Sequence, residues 1–277
     1  MQIREYSLPE GWYPRDPDKV TDAINRFLRE SSRPSSPSRA AISPHAGWYY
    51  SGRIAAAAVC SLDPQAETVT VIGGHLSSGD PALFAMEDAV RTPFGPMNID
   101  RDLRSALMEE LGGEEDRFRD NTVEILLPMV RFFFPRAMLL WLRLPAQETS
   151  FEAGRAISRA AVKLKRMVNV LASTDLTHYG RNYGFSPHGT GEDALRWMRQ
   201  VNDASFIRAV EEGEKGLVLR RAECDRSACS AGAVLGAMGF AEAEKLGGAR
   251  LLDYGTSADL QNDPPDSFVG YAAFTFG

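Results

Sequence analysis

The chain has 277 residues, 44% hydrophobic and 25% charged, the balance of a globular protein large enough to bury a full core. A formal net charge of −6, with no long run of lysine or arginine, excludes the electrostatic footprint of a nucleic-acid or anionic-lipid binder and leaves small molecules, peptides or proteins as partners. No apolar h-region follows Met1-Gln2-Ile3-Arg4-Glu5, no apolar stretch is long enough to span a membrane, and three cysteines make no disulfide framework, so a cytoplasmic protein is expected.

Residues 17 to 31 place Val20, Ile24, Phe27 and Leu28 on one helical face, with Asp16 or Asp18 available to cap the start. The polar, proline-broken segment from Ser31 to Ser38 reads as a linker into a first core strand near 39 to 43. That strand breaks at Pro44, presents His45, turns through Gly47 and gives way to a small-residue helix from Gly52 to Leu62. Thr68 to Ile72 is a β-branched strand ending in Gly73-Gly74-His75. After an irregular stretch containing Pro93-Phe94-Gly95-Pro96, Asp100 caps a helix that stops at Gly112-Gly113. Asn121 to Phe134 reads as one helix with Pro128 as an interior irregularity.

Ala137 to Leu142 is nearly all apolar, as a strand covered on both faces should be, and Val168 to Ala172 is another, with a helix from 150 to 166 between them. Helices are expected over 191 to 212 and 228 to 246, and strands over 249 to 254 and 268 to 276. No internal repeat or second domain is evident. The alternation predicts an α/β fold: a single-domain, three-layer α/β/α sandwich around a mainly parallel sheet, with the last strands antiparallel.

Three of the four histidines, His45, His75 and His178, follow directly on predicted strands. Parallel strands would bring those loops to one edge of the sheet, where ligands bind in open α/β folds. Two imidazoles and one further ligand make an open metal site, and the third ligand could be Asp175, Glu124, Cys224 or Cys229. Cys229 opens a small-residue helix, whose amides favour a thiolate, whereas Glu223 and Asp225 oppose one at Cys224. Cys60 reads as a core residue. Asp175, His178 and Tyr179 could supply an orienting carboxylate, a general base and a phenolic donor; the structural alternative is a capped turn. His188, in Ser186-Pro187-His188-Gly189, reads as surface.

These motifs resemble those of the Memo-like family, also called AmmeMemoRadiSam system protein B, over nearly the whole chain from about residue 39. Pro44-His45-Ala46-Gly47-Trp48-Tyr49-Tyr50-Ser51-Gly52 is similar to its PHAGYxYSG motif. Gly74-His75, Thr92-Pro93-Phe94-Gly95 and Ser173-Thr174-Asp175-Leu176-Thr177-His178-Tyr179 follow in the family's order. The ending, Tyr254-Gly255-Thr256-Ser257-Ala258-Asp259 with Val269-Gly270-Tyr271-Ala272-Ala273, also fits. The resemblance implies one Memo-like domain over 1–277, with 1–38 as an N-terminal segment, and a fold like that of the class III extradiol dioxygenases. It also implies a metal site of His45, His75 and Cys229, with Asp175 and His178 lining the pocket. Where the family carries Glu-His-Ser, this chain has Asp120-Asn121-Thr122, so a pocket histidine is replaced by Asn121; the usual Cys-Gly pair is also absent.

The leading functional expectation is a metal-dependent, dioxygenase-like oxidoreductase holding iron or copper, with Tyr50, Glu124 and Tyr179 around the pocket. The alternatives are a non-catalytic scaffold that takes a peptide or protein between rim aromatics Trp48, Tyr49 and Tyr50, and a zinc hydrolase with His178 or Asp175 as base. A radical-enzyme system is the partner that the family's name suggests.

Overall fold

A computed structural model describes residues 1–31, 36–261 and 265–277; positions 32–35 of the expected linker lie outside the described residues. The chain opens with a short strand β1 (Ile3–Arg4) and α1 (Pro17–Glu30), whose N-cap Asp16 accepts from the amides of Asp18 and Lys19. The first core strand β2 (Ala40–Ser43) leads into α2 (Trp48–Cys60), and β3 (Thr68–Gly73) follows. Short strands β4 (Leu83–Phe84), β5 (Ala89–Val90) and β6 (Met97–Asn98) then precede α3 (Arg101–Leu111), capped by Asp100, and β7 (Glu114–Glu115). Next come α4 (Asn121–Glu124), α5 (Leu127–Phe133), β8 (Met138–Arg143), α6 (Thr149–Leu164) and β9 (Val168–Ser173). The remainder is β10 (His178–Gly180), α7 (Glu192–Trp197), a π-helical segment Met198–Asp203, α8 (Ala204–Glu211), α9 (Lys215–Cys224), α10 (Ala231–Ala243), β11 (Ala249–Thr256) and β12 (Ser267–Phe276).

The sheet runs β10-β12-β2-β9-β3-β8-β4-β7, with β11 also paired to β12. Its centre, β2-β9-β3-β8, is parallel, while β12 joins β2, β10 and β11 antiparallel, as expected for the last strands. Side chains alternate along these strands and build two cores. Val69 and Val71 of β3, Leu139 and Trp141 of β8 and Leu171 of β9 face α1, α2 and α5. Ile72, Leu140, Leu142, Val170 and Ala172 face α3, α6, α8 and α10 on the other side. Helices, sheet, helices: the molecule is a three-layer α/β/α sandwich. Helices α6 and α10 approach so closely that a Cβ at Gly154 or Gly239 would overlap the carbonyl of Gly236 or Phe151. Among the described residues, no helix is long and apolar enough to cross a membrane.

Several elements differ from expectation. The helix expected over 121 to 134 is two, because Pro128 falls in the first turn of α5, where its missing N–H costs nothing. The helix after Pro44 starts at Trp48 rather than Gly52, since the Trp48 amide finds an acceptor in Trp12 O at 2.8 Å. Helix α9 carries one fully buried side chain, Val218, too weak an apolar face to be read from periodicity.

Candidate metal centre

Register places three strand ends at one edge. Ser43 of β2 pairs with Ser173 of β9, Ile72 of β3 with Ala172 of β9, and Gly73 of β3 with Arg143 of β8. The next residues therefore emerge together: His45 after β2, His75 after β3, and Asp175 after β9. Cys229 reaches the same point from the loop before α10, its amide bonded to Asp175 O at 3.2 Å.

Each member is held by its surroundings. His45 is 1% exposed; its amide donates to Asp175 Oδ1 at 2.7 Å, its Nδ1 lies 2.8 Å from Ser173 Oγ, and its Nε2 lies 3.2 Å from Cys229 Sγ. The rings of His45 and His75 meet edge to face, 5.0 Å apart. His75 sits at φ 57°, a left-handed conformation unusual for a side-chain-bearing residue, and its Nδ1 is 2.8 Å from Asp120 Oδ2. One ligand atom from each of His45, His75 and Cys229 falls within 4.8 Å of the others, a group that could hold a metal ion. Two imidazoles and a sulfur suit a transition metal and leave coordination positions free.

The electrostatics favour a thiolate. Burial opposes ionisation of Cys229, but the neighbouring His45 and His75 outweigh it and hold the thiol well below its usual range. Burial likewise opposes protonation of both imidazoles, yet the Cys229 and Asp175 charges raise His45, and bonding to Asp120 with help from Cys229 raises His75 to about 10. Burial also pushes the Asp175 carboxyl up, against the pull of His45.

Beside the cluster opens a cavity of about 850 Å³, lined by His45, His75, Asn121, Asp175 and His178 and by the aromatic side chains of Trp12, Tyr49, Tyr50, Tyr183 and Tyr271. Asn121, in the place of the family's histidine, donates from Nδ2 to His45 O at 2.9 Å. His178 is half-buried, its Nδ1 3.1 Å from Leu176 O and its ring edge-on to Tyr183.

Several expected site residues lie elsewhere. Glu124 is no ligand and lines no part of the cavity: it clamps the N-terminal arm, accepting from Ser7 N at 2.8 Å, Ser7 Oγ, Leu8 N at 3.2 Å and Tyr13 Oη at 3.0 Å. Tyr179 is fully buried, stacked on Phe268, with its hydroxyl donating to Gly189 O at 3.0 Å and accepting from His188 N at 2.9 Å. It therefore presents no phenol to the pocket, because the alternation of β10 turns its side chain away from that of His178. Trp48 is buried between Phe27 and Tyr13, so only Tyr49 and Tyr50, 71% and 49% exposed, stand at the rim. Cys224 is exposed at the end of α9, Cys60 is half-buried rather than core, and His188 is on the surface, its ring 4.2 Å from that of Trp197. Sequence reasoning missed Ser173, Asp120 and Arg143 behind the two imidazoles, although a charge directly after the apolar run Ala137 to Leu142 was a visible signal for Arg143.

A three-layer α/β sandwich with imidazoles at adjacent strand ends and a sulfur from a helix-opening loop defines a protein built around an open site at the sheet edge. The chain belongs to the Memo-like protein family, whose sequence profile matches residues 4–275. It is 26% identical to a MEMO1 family protein of Pyrobaculum arsenaticum, over 100% of this chain and 99% of that protein, and 30% identical to one of Methanococcoides burtonii, over 84% of each. An uncharacterised Escherichia coli K12 protein of known structure aligns with TM-score 0.45 and 12% identity over 79% of this chain and 89% of that one.

Proposed function

We propose that the protein is a metal-dependent oxidoreductase that holds iron or copper through His45, His75 and Cys229 and acts on a small organic molecule in the adjoining cavity. The observation that carries this reading is the convergence of the three donor atoms within 4.8 Å, two of them from His45 and His75 in the wall of a cavity that Asp175 and His178 also line. A thiolate with two imidazoles is softer than the carboxylate-rich sets that suit magnesium or calcium, and iron or copper bound there would supply one-electron chemistry with dioxygen.

The protein's own groups supply the rest. Tyr49, Tyr50, Tyr183 and Tyr271 offer flat faces between which an unsaturated or aromatic substrate is held and water is displaced. Donating its Nδ1 proton to Leu176 O leaves His178 with Nε2 as the base that takes a proton from the bound substrate. Asp175, 3.9 Å from His45 Nε2 and raised by burial, can hold a proton and return it. Its bond to the His45 amide fixes it for that task.

Elemental analysis of protein purified anaerobically tests the reading, with His45→Ala and Cys229→Ser as controls. The wild type should carry stoichiometric iron or copper and both variants only background metal with unchanged far-UV circular dichroism. Full metal content in both variants would sink the proposed site. Oxygen consumption should disappear in His178→Ala. Zinc in place of iron or copper, together with esterase or amidase activity, would move the reading to hydrolysis. The exposed Tyr49 and Tyr50 favour a second reading, a peptide held at the rim, which turnover of a small substrate abolished by His178→Ala would count against.

A further inference from the structure

We propose that Arg143 and Asp120 are a positioning pair for His75, fixing which ring nitrogen faces the metal site; this rests on the metal-binding reading above. Arg143 ends β8 opposite Gly73, and its side chain is 4% exposed. Three acceptors in three directions engage it. Its Nε donates to Gly74 O at 2.9 Å, its Nη1 to Asp116 Oδ1 at 3.2 Å, and its Nη2 lies 3.3 Å from Asp120 Oδ2. Lysine, a point charge, could not meet all three, whereas the planar fork of arginine does.

Asp120 is held from both sides. Oδ1 accepts from the amide of Thr122 at 2.8 Å and from the Thr122 hydroxyl, while Oδ2 faces Arg143 and accepts His75 Nδ1–H at 2.8 Å. The carboxylate is thus aimed at one ring nitrogen, which leaves Nε2 of His75 as the donor available to an ion. The backbone is governed by the same groups. Gly74, the residue before the left-handed His75, has its amide bonded to Thr122 Oγ1 at 3.2 Å and its carbonyl bonded to Arg143. Arg143 therefore controls His75 twice, through the carbonyl that precedes it and through the carboxylate behind its ring.

A buried arginine between two carboxylates could serve only to join β3 to β8. The positioning role predicts more than that. Removing it should weaken metal binding without unfolding the chain, because the β3–β8 ladder and both cores remain. In Asp120→Asn either orientation of the amide sets an N–H against a donor, His75 and Arg143 on one side or the Thr122 amide on the other, so the charged acceptor that fixes the His75 tautomer is lost.

The test is titration of chelator-treated protein with Co²⁺ against a chromophoric competitor, alongside nitrogen-15 and proton spectra of histidine-labelled, metal-free protein. Expected is a far-downfield Nδ1 proton for His75 in the wild type that disappears in Asp120→Asn and broadens in Arg143→Lys. Co²⁺ affinity should fall by about 10- to 100-fold in Asp120→Asn and by about tenfold in Arg143→Lys, with circular dichroism unchanged. Folded variants that bind Co²⁺ as the wild type does overturn the proposal, and so does a wild-type His75 without the bonded Nδ1 proton. Failure of the wild type to bind Co²⁺ while its Nδ1 proton is present would instead strike the metal reading and with it the purpose assigned to the pair. Should Arg143→Lys not fold, Asp120→Asn decides alone.

Discussion

Asp203 is fully buried and outside the His45, His75 and Cys229 group, yet it governs the loop that carries Asp175 and His178. Its Oδ1 accepts from the amide of Thr177 at 3.2 Å and from the Thr177 hydroxyl, and its Oδ2 accepts from Tyr254 Oη at 2.7 Å. Burial pushes its carboxyl up to about 7, against the pull of these donors and of the Arg199 charge. A folded pKa above the unfolded value of about 3.9 means that the proton is bound more tightly in the native state, so the associated stability is complete below that value and is lost as pH rises through about 7. In chelator, the difference in melting temperature between wild type and Asp203→Asn should therefore shrink from about pH 5 to about pH 8; a pH-independent difference would show that Asp203 is not protonated on folding. Little of this was legible. His45, His75 and Cys229 could be picked out because each sits at an element boundary, which local pattern reveals. Asp203 lies within an unbroken helical stretch, and its partner Thr177 is distant in sequence. Glu124 and Tyr179 were misplaced for the same reason: a titratable residue near a motif is visible, but the direction of its side chain is set by tertiary packing.

Helices α6 and α10 meet backbone to backbone, and this close approach depends on the absence of side chains at Gly154 and Gly239. Gly239→Ala would drive a methyl into the Phe151 carbonyl. Overpacking against backbone costs about 1–3 kcal/mol or more, which urea denaturation would register as a lowered midpoint; an unchanged midpoint would mean that the helices can separate freely. The central parallel strands β2, β3, β8 and β9 were legible as apolar runs, since both faces are covered and nearly every position is buried. The two-residue strands β1, β4, β5, β6 and β7 were not, because one or two ladder bonds leave no periodicity. The single helix expected over 121 to 134 failed at its proline, where the sequence admits either an interior kink or a fresh start.

Across the molecule, the proposed site links ligand binding to folding. An ion that binds the native chain and not the unfolded one stabilises by about 2.7 kcal/mol at a hundredfold excess over its Kd, so Co²⁺ should raise the melting temperature of the wild type and leave Cys229→Ser unmoved. Equal shifts in both would mean binding elsewhere. A second connection runs through the N-terminal arm, which Glu124 ties to the sandwich and which contributes Gly11 and Trp12 to the cavity wall. Glu124→Gln replaces one acceptor with a donor facing donors, at a cost of about 1–3 kcal/mol, and limited proteolysis should cut near Gly11 sooner than in the wild type. Cleavage at an equal rate would place the anchor elsewhere. Since that part of the wall is a tethered strip rather than part of the layered scaffold, the aperture and the His45, His75 and Cys229 group are independently adjustable. Exchanging the strip alone could change which guests are admitted while the inner chemistry stays as it was.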